Sequence, residues 1–201
     1  MIAVLILAAG LGRRMGSIKP LLSIAGRPAL ERILATLDDA GIDSKIVVLG
    51  HASGQVQAQV DLSNCRVVIN ANPEAGLSSS LELGLEQLPE EATGLLVHPS
   101  DMPYIRAATV RAVCQAASDG AKLAAPFYQG ERGFPVYFAR SCLAELRSDL
   151  SGDEGGRRVL ARHPDWLVHV EVDDPGTIHD LDRPSDVVSS SRKEASCSTS
   201  A

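Results

Sequence analysis

Aromatic residues are scarce, 3% of 201. That scarcity argues against a protein that grips single strands by stacking bases on rings. A basic excess is missing as well. Nineteen Lys and Arg face 25 Asp and Glu, for a net charge of -6, which disfavours DNA or RNA as the main partner. The four cysteines, Cys65, Cys114, Cys142 and Cys197, stand far apart without a C-x-x-C pair. This argues against a disulfide framework or structural zinc site and fits a reducing cytoplasm. Long apolar runs are also lacking. The longest, Met1 to Ala9, is far short of the ~20 residues a membrane helix needs, and the pattern of a secretory leader is not seen. What remains is a globular balance, 45% hydrophobic and 22% charged, sufficient for a buried core. We expect one domain over residues 1–189. The Ser, Lys, Glu and Thr of 190–201 read as a disordered tail.

Short apolar runs alternate with helix-like stretches. Ile2 to Leu7 is continuously apolar, as in a strand buried on both faces. Further strands are expected at Lys45–Leu49, Arg66–Ile69, Gly94–Val97, Lys122–Ala125 and Phe134–Phe138, with a half-exposed edge strand at Leu167–Val172. Helices are expected at Pro28–Asp39, Gln55–Val60, Ser79–Leu88 and Ala107–Ala117, with short ones at Leu143–Arg147, Gly156–Arg162 and Arg183–Ser189. The alternation implies an α/β fold: three layers, α/β/α, around a mostly parallel, Rossmann-like sheet.

The most informative segment is Leu7-Ala8-Ala9-Gly10-Leu11-Gly12-Arg13-Arg14-Met15-Gly16-Ser17-Ile18-Lys19-Pro20. Glycines let backbone N–H groups close on phosphate oxygens, and the cations supply charge. Two common phosphate loops fail on spacing. Met15 stands where a dinucleotide fingerprint needs its third glycine, and Gly16 is followed by Ser17 rather than by Lys-Ser/Thr. The plain alternative is a strand-to-helix connection with solvated arginines. The run nevertheless resembles the signature of the MobA-like nucleotidyltransferase superfamily, L-A-[AG]-G-x-x-x-R-M-G-x-x-K-x-L. The resemblance implies a sheet of the nucleotide-diphospho-sugar transferase type. It also implies that Leu7, Ala8 and Ala9 face a base, that Gly10 and Gly12 approach phosphates, and that Arg14 and Lys19 neutralise them.

A reaction at a nucleotide α-phosphate needs its charge offset, and Mg2+ on one or two carboxylates is the usual means. Asp101, after the strand Gly94–Val97, resembles the metal-binding aspartate of the family's D-M-P segment. Its plain alternative is a cap for a helix near Tyr104–Thr109. The stretch His179-Asp180-Leu181-Asp182-Arg183-Pro184-Ser185-Asp186 resembles the family's late acidic motif, with Arg183 in place of threonine. It offers Asp182, or its rival Asp180, as second metal ligand. His98 reads as a packing residue, and Asp173-Asp174 as a solvated turn.

Asn72, Gly76, Ser79 and Ser80 lie in a stretch resembling the Asn…Gly…Ser-Ser-Leu segment of the molybdenum cofactor cytidylyltransferase branch. They would offer backbone N–H groups and hydroxyls to a base or ribose. Ser79 and Glu82 also read as a capping box. Gly130–Val136 and Gly152–Arg157 resemble two later motifs of that branch on the acceptor side, with Phe134 where histidine is usual. The resemblance implies a CTP:molybdopterin cytidylyltransferase that forms molybdopterin cytosine dinucleotide and pyrophosphate. Its product would pass to a receiving molybdoenzyme, with neither nucleic acid nor membrane as partner. The alternatives are transfer to a sugar phosphate or from GTP, an oxidoreductase acting on a small heterocycle, and a non-catalytic cofactor carrier.

Overall fold

The computed structural model describes residues 1–10, 18–150, 152, 154 and 156–181. Strand β1 (Ile2–Ala8) leads to a two-strand ribbon, β2 (Ser23–Ile24) and β3 (Arg27–Pro28), and to helix α1 (Ala29–Asp39). Then follow β4 (Ser44–Leu49), α2 (Ser53–Gln59), β5 (Arg66–Ile69), α3 (Leu77–Glu86), β6 (Gly94–Pro99) and α4 (Ala107–Ser118). The rest comprises β7 (Leu123–Tyr128), β8 (Glu131–Arg132), β9 (Val136–Ala139), α5 (Leu143–Ser148), α6 (Arg157–Arg162) and β10 (Leu167–Glu171). Among the described residues no helix is long and apolar enough to cross a membrane.

The main sheet runs β10-β7-β9-β6-β1-β4-β5, with β8 paired to β7. Its centre is parallel: Leu5 faces Ile46 on one side and Val97 on the other. The expected parallel rhythm breaks at β9, which lies antiparallel between β6 and β7. The sheet is therefore mostly parallel but mixed.

The pleat of β1 shows why its sequence is apolar throughout. Successive side chains point to opposite faces. Ala3, Leu5 and Leu7 pack with Leu81 and Leu85 of α3, Leu146 of α5 and Leu160 of α6. Val4 and Ile6 pack with Leu30, Ile33 and Leu37 of α1, Val56 of α2 and Val113 of α4. Both faces are dry, so neither set of side chains can be polar. Each fully buried Leu or Ile contributes roughly 2 kcal/mol. This is the expected three-layer architecture. Its parallel strands deliver their carboxyl ends, and the loops after them, to one edge of the sheet, where open α/β folds bind ligands.

Candidate functional site

At that edge Leu7, Ala8 and Ala9 are buried under the end of β1, and Gly10 is exposed. Among the described residues a Cβ built on Gly10 meets nothing within 4 Å, so their packing does not require glycine there. Gly50, after β4, is the opposite case. A Cβ there would lie 2.6 Å from the Ala9 carbonyl oxygen, so the chain ends after β1 and β4 touch backbone to backbone. The Ser100 N–H donates to Leu7 O at 3.1 Å, which ties the end of β6 to β1.

Across this junction the Lys19 ammonium donates to Asp101 Oδ2 at 2.9 Å, with 17% and 25% of the two side chains exposed. Two predicted site residues 82 positions apart thus meet. The Asp101 loop is braced on both sides. Behind it, His98 Nε2–H donates to Met102 O at 3.0 Å. The ring is fully buried, and burial pushes its pKa down to about 4. His98 is thus a neutral packing residue, as expected. In front, the Leu181 N–H donates to Asp101 O at 2.9 Å. This brings the late acidic segment beside Asp101, with Asp180 exposed. Gly12, Arg14, Asp182 and the expected 183–189 helix lie outside the described residues.

The expectation for Asp174 is overturned. It is 2% exposed and forms a clasp. One oxygen accepts from the Arg106 N–H at 2.8 Å and from Thr109 Oγ–H at 2.6 Å. The other accepts from the Gly176 N–H at 3.1 Å. Asp174, not Asp101, therefore caps α4, whose own N-cap residue Arg106 supplies no side-chain acceptor. The clasp draws the 174–177 turn so close that a Cβ on Gly176 would meet Tyr104 O at 2.1 Å. On the other side of the turn, the Phe134 N–H donates to Thr177 O at 2.9 Å. The loop of the first acceptor-side motif is thereby joined to the late segment.

The Asn72–Ser80 stretch is organised by Asn70, which the sequence reading missed. Its Oδ1 accepts from the Asn72 N–H at 2.9 Å, and its Nδ2 donates to Ser79 Oγ and Ser80 Oγ, both at 2.9 Å. The expected capping box does not form. Helix α3 starts at Leu77, two residues earlier, after Gly76 at φ 97°, a backbone conformation that favours glycine. Ser79 is inside the helix, where its hydroxyl donates to Gly76 O at 2.8 Å. Free N–H groups were expected at this helix N-terminus, but those of residues 78 and 79 are engaged, with Gly152 O at 2.9 Å and Gly76 O at 3.2 Å. The first of these bonds joins the second acceptor-side motif to α3. Arg132 and Arg157, one from each such motif, feel each other's charge. Burial first, and Arg157 second, hold the Arg132 pKa below the ordinary arginine value.

Among the described residues no group of three His, Cys, Asp or Glu is placed to hold a metal ion. Asp101 and the exposed Asp180 are described carboxylates that could share a divalent ion with substrate oxygens. That hard-oxygen set suits Mg2+, which commonly takes one or two carboxylates plus phosphate.

Comparisons with known proteins agree with this layout. The chain is 29% identical over 186 residues to the nicotine blue oxidoreductase of Paenarthrobacter nicotinovorans, covering 88% of this chain and 90% of that protein. It is 37% identical over 119 residues to the bifunctional protein GlmU of Burkholderia ambifaria, covering 58% of this chain but only 26% of that longer relative. Among solved structures, Rv0371c of Mycobacterium tuberculosis superposes with a TM-score of 0.84 at 29% identity, over 94% of this chain and 96% of that one. The same protein has been solved in complex with manganese, with a TM-score of 0.78 at 28% identity over the same shares of the two chains. Residues 4–166 match the MobA-like NTP transferase domain. With the mixed sheet in agreement, this match shows that the chain belongs to the family of MobA-like NTP transferase domains.

Proposed function

We propose that the chain is a Mg2+-dependent nucleotidyltransferase that joins the cytidylyl group of CTP to the terminal phosphate of molybdopterin and releases pyrophosphate. The observation that carries this reading is the Lys19–Asp101 pair at the shared end of β1 and β6. There an ammonium and a carboxylate stand at the same edge of the sheet as the exposed Gly10. In this reading the backbone of Leu7, Ala8 and Ala9, whose side chains pack into the two cores, forms the wall against the base. Gly10 and Gly12 let the backbone approach the triphosphate, and Lys19 and Arg14 neutralise it. Asp101 holds the divalent ion with Asp182, or with its rival Asp180, and the ion supplies charge compensation for triphosphate and acceptor phosphate. The manganese complex of Rv0371c supports a divalent ion here. The acceptor phosphate attacks the α-phosphorus in line, so this chain's residues contribute position and charge rather than a covalent intermediate.

Arg132 and Arg157 bring two positive charges to the acceptor side, which suits a phosphorylated acceptor. The GlmU likeness makes a sugar phosphate the acceptor to test beside molybdopterin. A receiving molybdoenzyme and a cytoplasmic setting belong to the same reading. Pyrophosphate release, measured for the four NTPs with each acceptor, tests it. Asp101→Asn is expected to lower turnover at least about hundredfold with an unchanged circular dichroism spectrum. Wild-type turnover in that variant would remove Asp101 from the site. The likeness to nicotine blue oxidoreductase over 88% of the chain favours a second reading, reduction of a small heterocycle. Oxidation of a nicotinamide cofactor without pyrophosphate release would establish that alternative.

A further inference from the structure

The geometry points to Ser79, pinned by Asn70, as a reader of the base edge, selecting a base that carries an exocyclic amino group and rejecting uracil. This rests on the reading that the Asn72–Ser80 segment meets the base of the nucleotide. The argument is one of hydrogen-bond polarity. Asn70 is 3% exposed, and its amide can point only one way. The Asn72 backbone N–H is purely a donor, so the group facing it at 2.9 Å must be Oδ1. Nδ2 therefore faces the serines and spends its two N–H groups on Ser79 Oγ and Ser80 Oγ.

Ser79 Oγ thus accepts from Asn70, and its own hydrogen is turned to Gly76 O at 2.8 Å, with Asn72 O the next acceptor at 3.4 Å. A hydroxyl has one hydrogen and two lone pairs. One lone pair remains. To a ligand, Ser79 is an acceptor only. The oxygens around it, Asn72 O and Gly76 O, are acceptors as well, and the nearby N–H groups of residues 78 and 79 are engaged. Ser80 is 4% exposed and too deep to be reached, whereas Ser79 is partly exposed. Such a surface repels phosphate and the carbonyl edge of uracil. It accepts an N–H donor such as the 4-amino group of cytosine. Asn70 acts through Ser79 as a positioning residue: it fixes the serine rotamer that spends the hydroxyl hydrogen inside the protein.

The test is calorimetric binding of CTP and UTP to the full chain with Mg2+, in parallel with pyrophosphate release. Wild type is expected to bind CTP at least about tenfold more tightly than UTP, the penalty of opposing one acceptor to another. Ser79→Ala should bring the two within about twofold by weakening CTP alone. Asn70→Ala should lower the ratio by letting Ser79 rotate and donate to uracil, a change of selectivity that a structural role alone would not produce. Melting curves establish that both variants fold. Equal CTP and UTP affinity in the wild type overturns the inference, as does no binding of either. Equal weakening of both nucleotides by Ser79→Ala would place the hydroxyl at the ribose and overturn it too. An unaltered ratio in Asn70→Ala would remove Asn70 from it. Failure of pyrophosphate release with the binding preference intact would count against nucleotidyl transfer and leave base selection standing.

Discussion

Removing the carboxylate of Asp174 should cost the protein a large part of its stability. Three donors converge on it from two segments: the Arg106 N–H, the Thr109 hydroxyl and the Gly176 N–H, at 2.8, 2.6 and 3.1 Å. The side chain is 3% exposed, so water does not enter readily to replace it. Hydrogen bonds to a charged group contribute about 1.5–3 kcal/mol each, and they do not add fully. Asp174→Ala leaves three donors, two of them buried, without an acceptor, which we put at about 4 kcal/mol. For a chain of this size that corresponds to a fall in Tm of about 10 °C. Asp174→Asn keeps the shape and one acceptor oxygen but turns an NH2 group toward one of the donors, at about half that cost. Thermal melts and urea midpoints of the three proteins measure both numbers. A melting point for Asp174→Ala within about 2 °C of wild type would refute the clasp.

Three further predictions concern the same edge of the sheet. The His98 pKa is about 4 in the fold against 6.5 for an ordinary histidine, so the unfolded chain takes up the proton first. The stabilisation from keeping His98 neutral is complete above pH 6.5. It is lost as pH falls toward 4, by roughly 3 kcal/mol in all. His98→Phe should therefore lose less stability than wild type between pH 7 and pH 4, and equal losses in urea titrations would contradict this. Gly50→Ala drives a methyl against the Ala9 backbone and should cost at least about 2 kcal/mol. Gly10→Ala meets open space among the described residues and should leave the melting point within about 1 °C while weakening triphosphate binding. A large destabilisation by the Gly10 variant would show that its glycine serves the fold.

Those residues also mark what the sequence could and could not disclose. Strand β1 was legible because a strand with helices on both faces must be apolar at every position, and Ile2–Leu7 is. That Lys19 and Asp101 lie at one edge of the sheet was legible in outline, because both follow strands that end there; their direct ion pair was not. Asp174 was not. Two adjacent acids before Pro-Gly look the same in water as in a dry turn, and only the fold brings Arg106, Thr109 and Gly176 to them. Asn70 was hidden by its surroundings, since Asn-Ala-Asn-Pro signals a turn whether or not one amide is buried. The serines misled because Ser79 with Glu82 satisfies the capping pattern, yet Gly76 lets α3 begin at Leu77. The direction of β9 could not be read either: four residues of apolar strand look alike whichever way they run.

That reversed strand has a consequence for how the protein can diversify. A strand running against its neighbours presents its entry, not its exit, at the working rim. The excursion between β7 and β9 (residues 129–135) therefore hangs over that rim with both its ends fixed in adjoining strands. Its tip, residues 129–132, can change side chains without altering the alignment of Leu5 with Ile46 and Val97 at the centre, whereas Gly133 and Phe134 are held against Thr177. That side of the rim is thus open to change at its tip, while the centre built on β1 and β4 stays constant. A scaffold of this kind can acquire new reaction partners by editing a single hairpin.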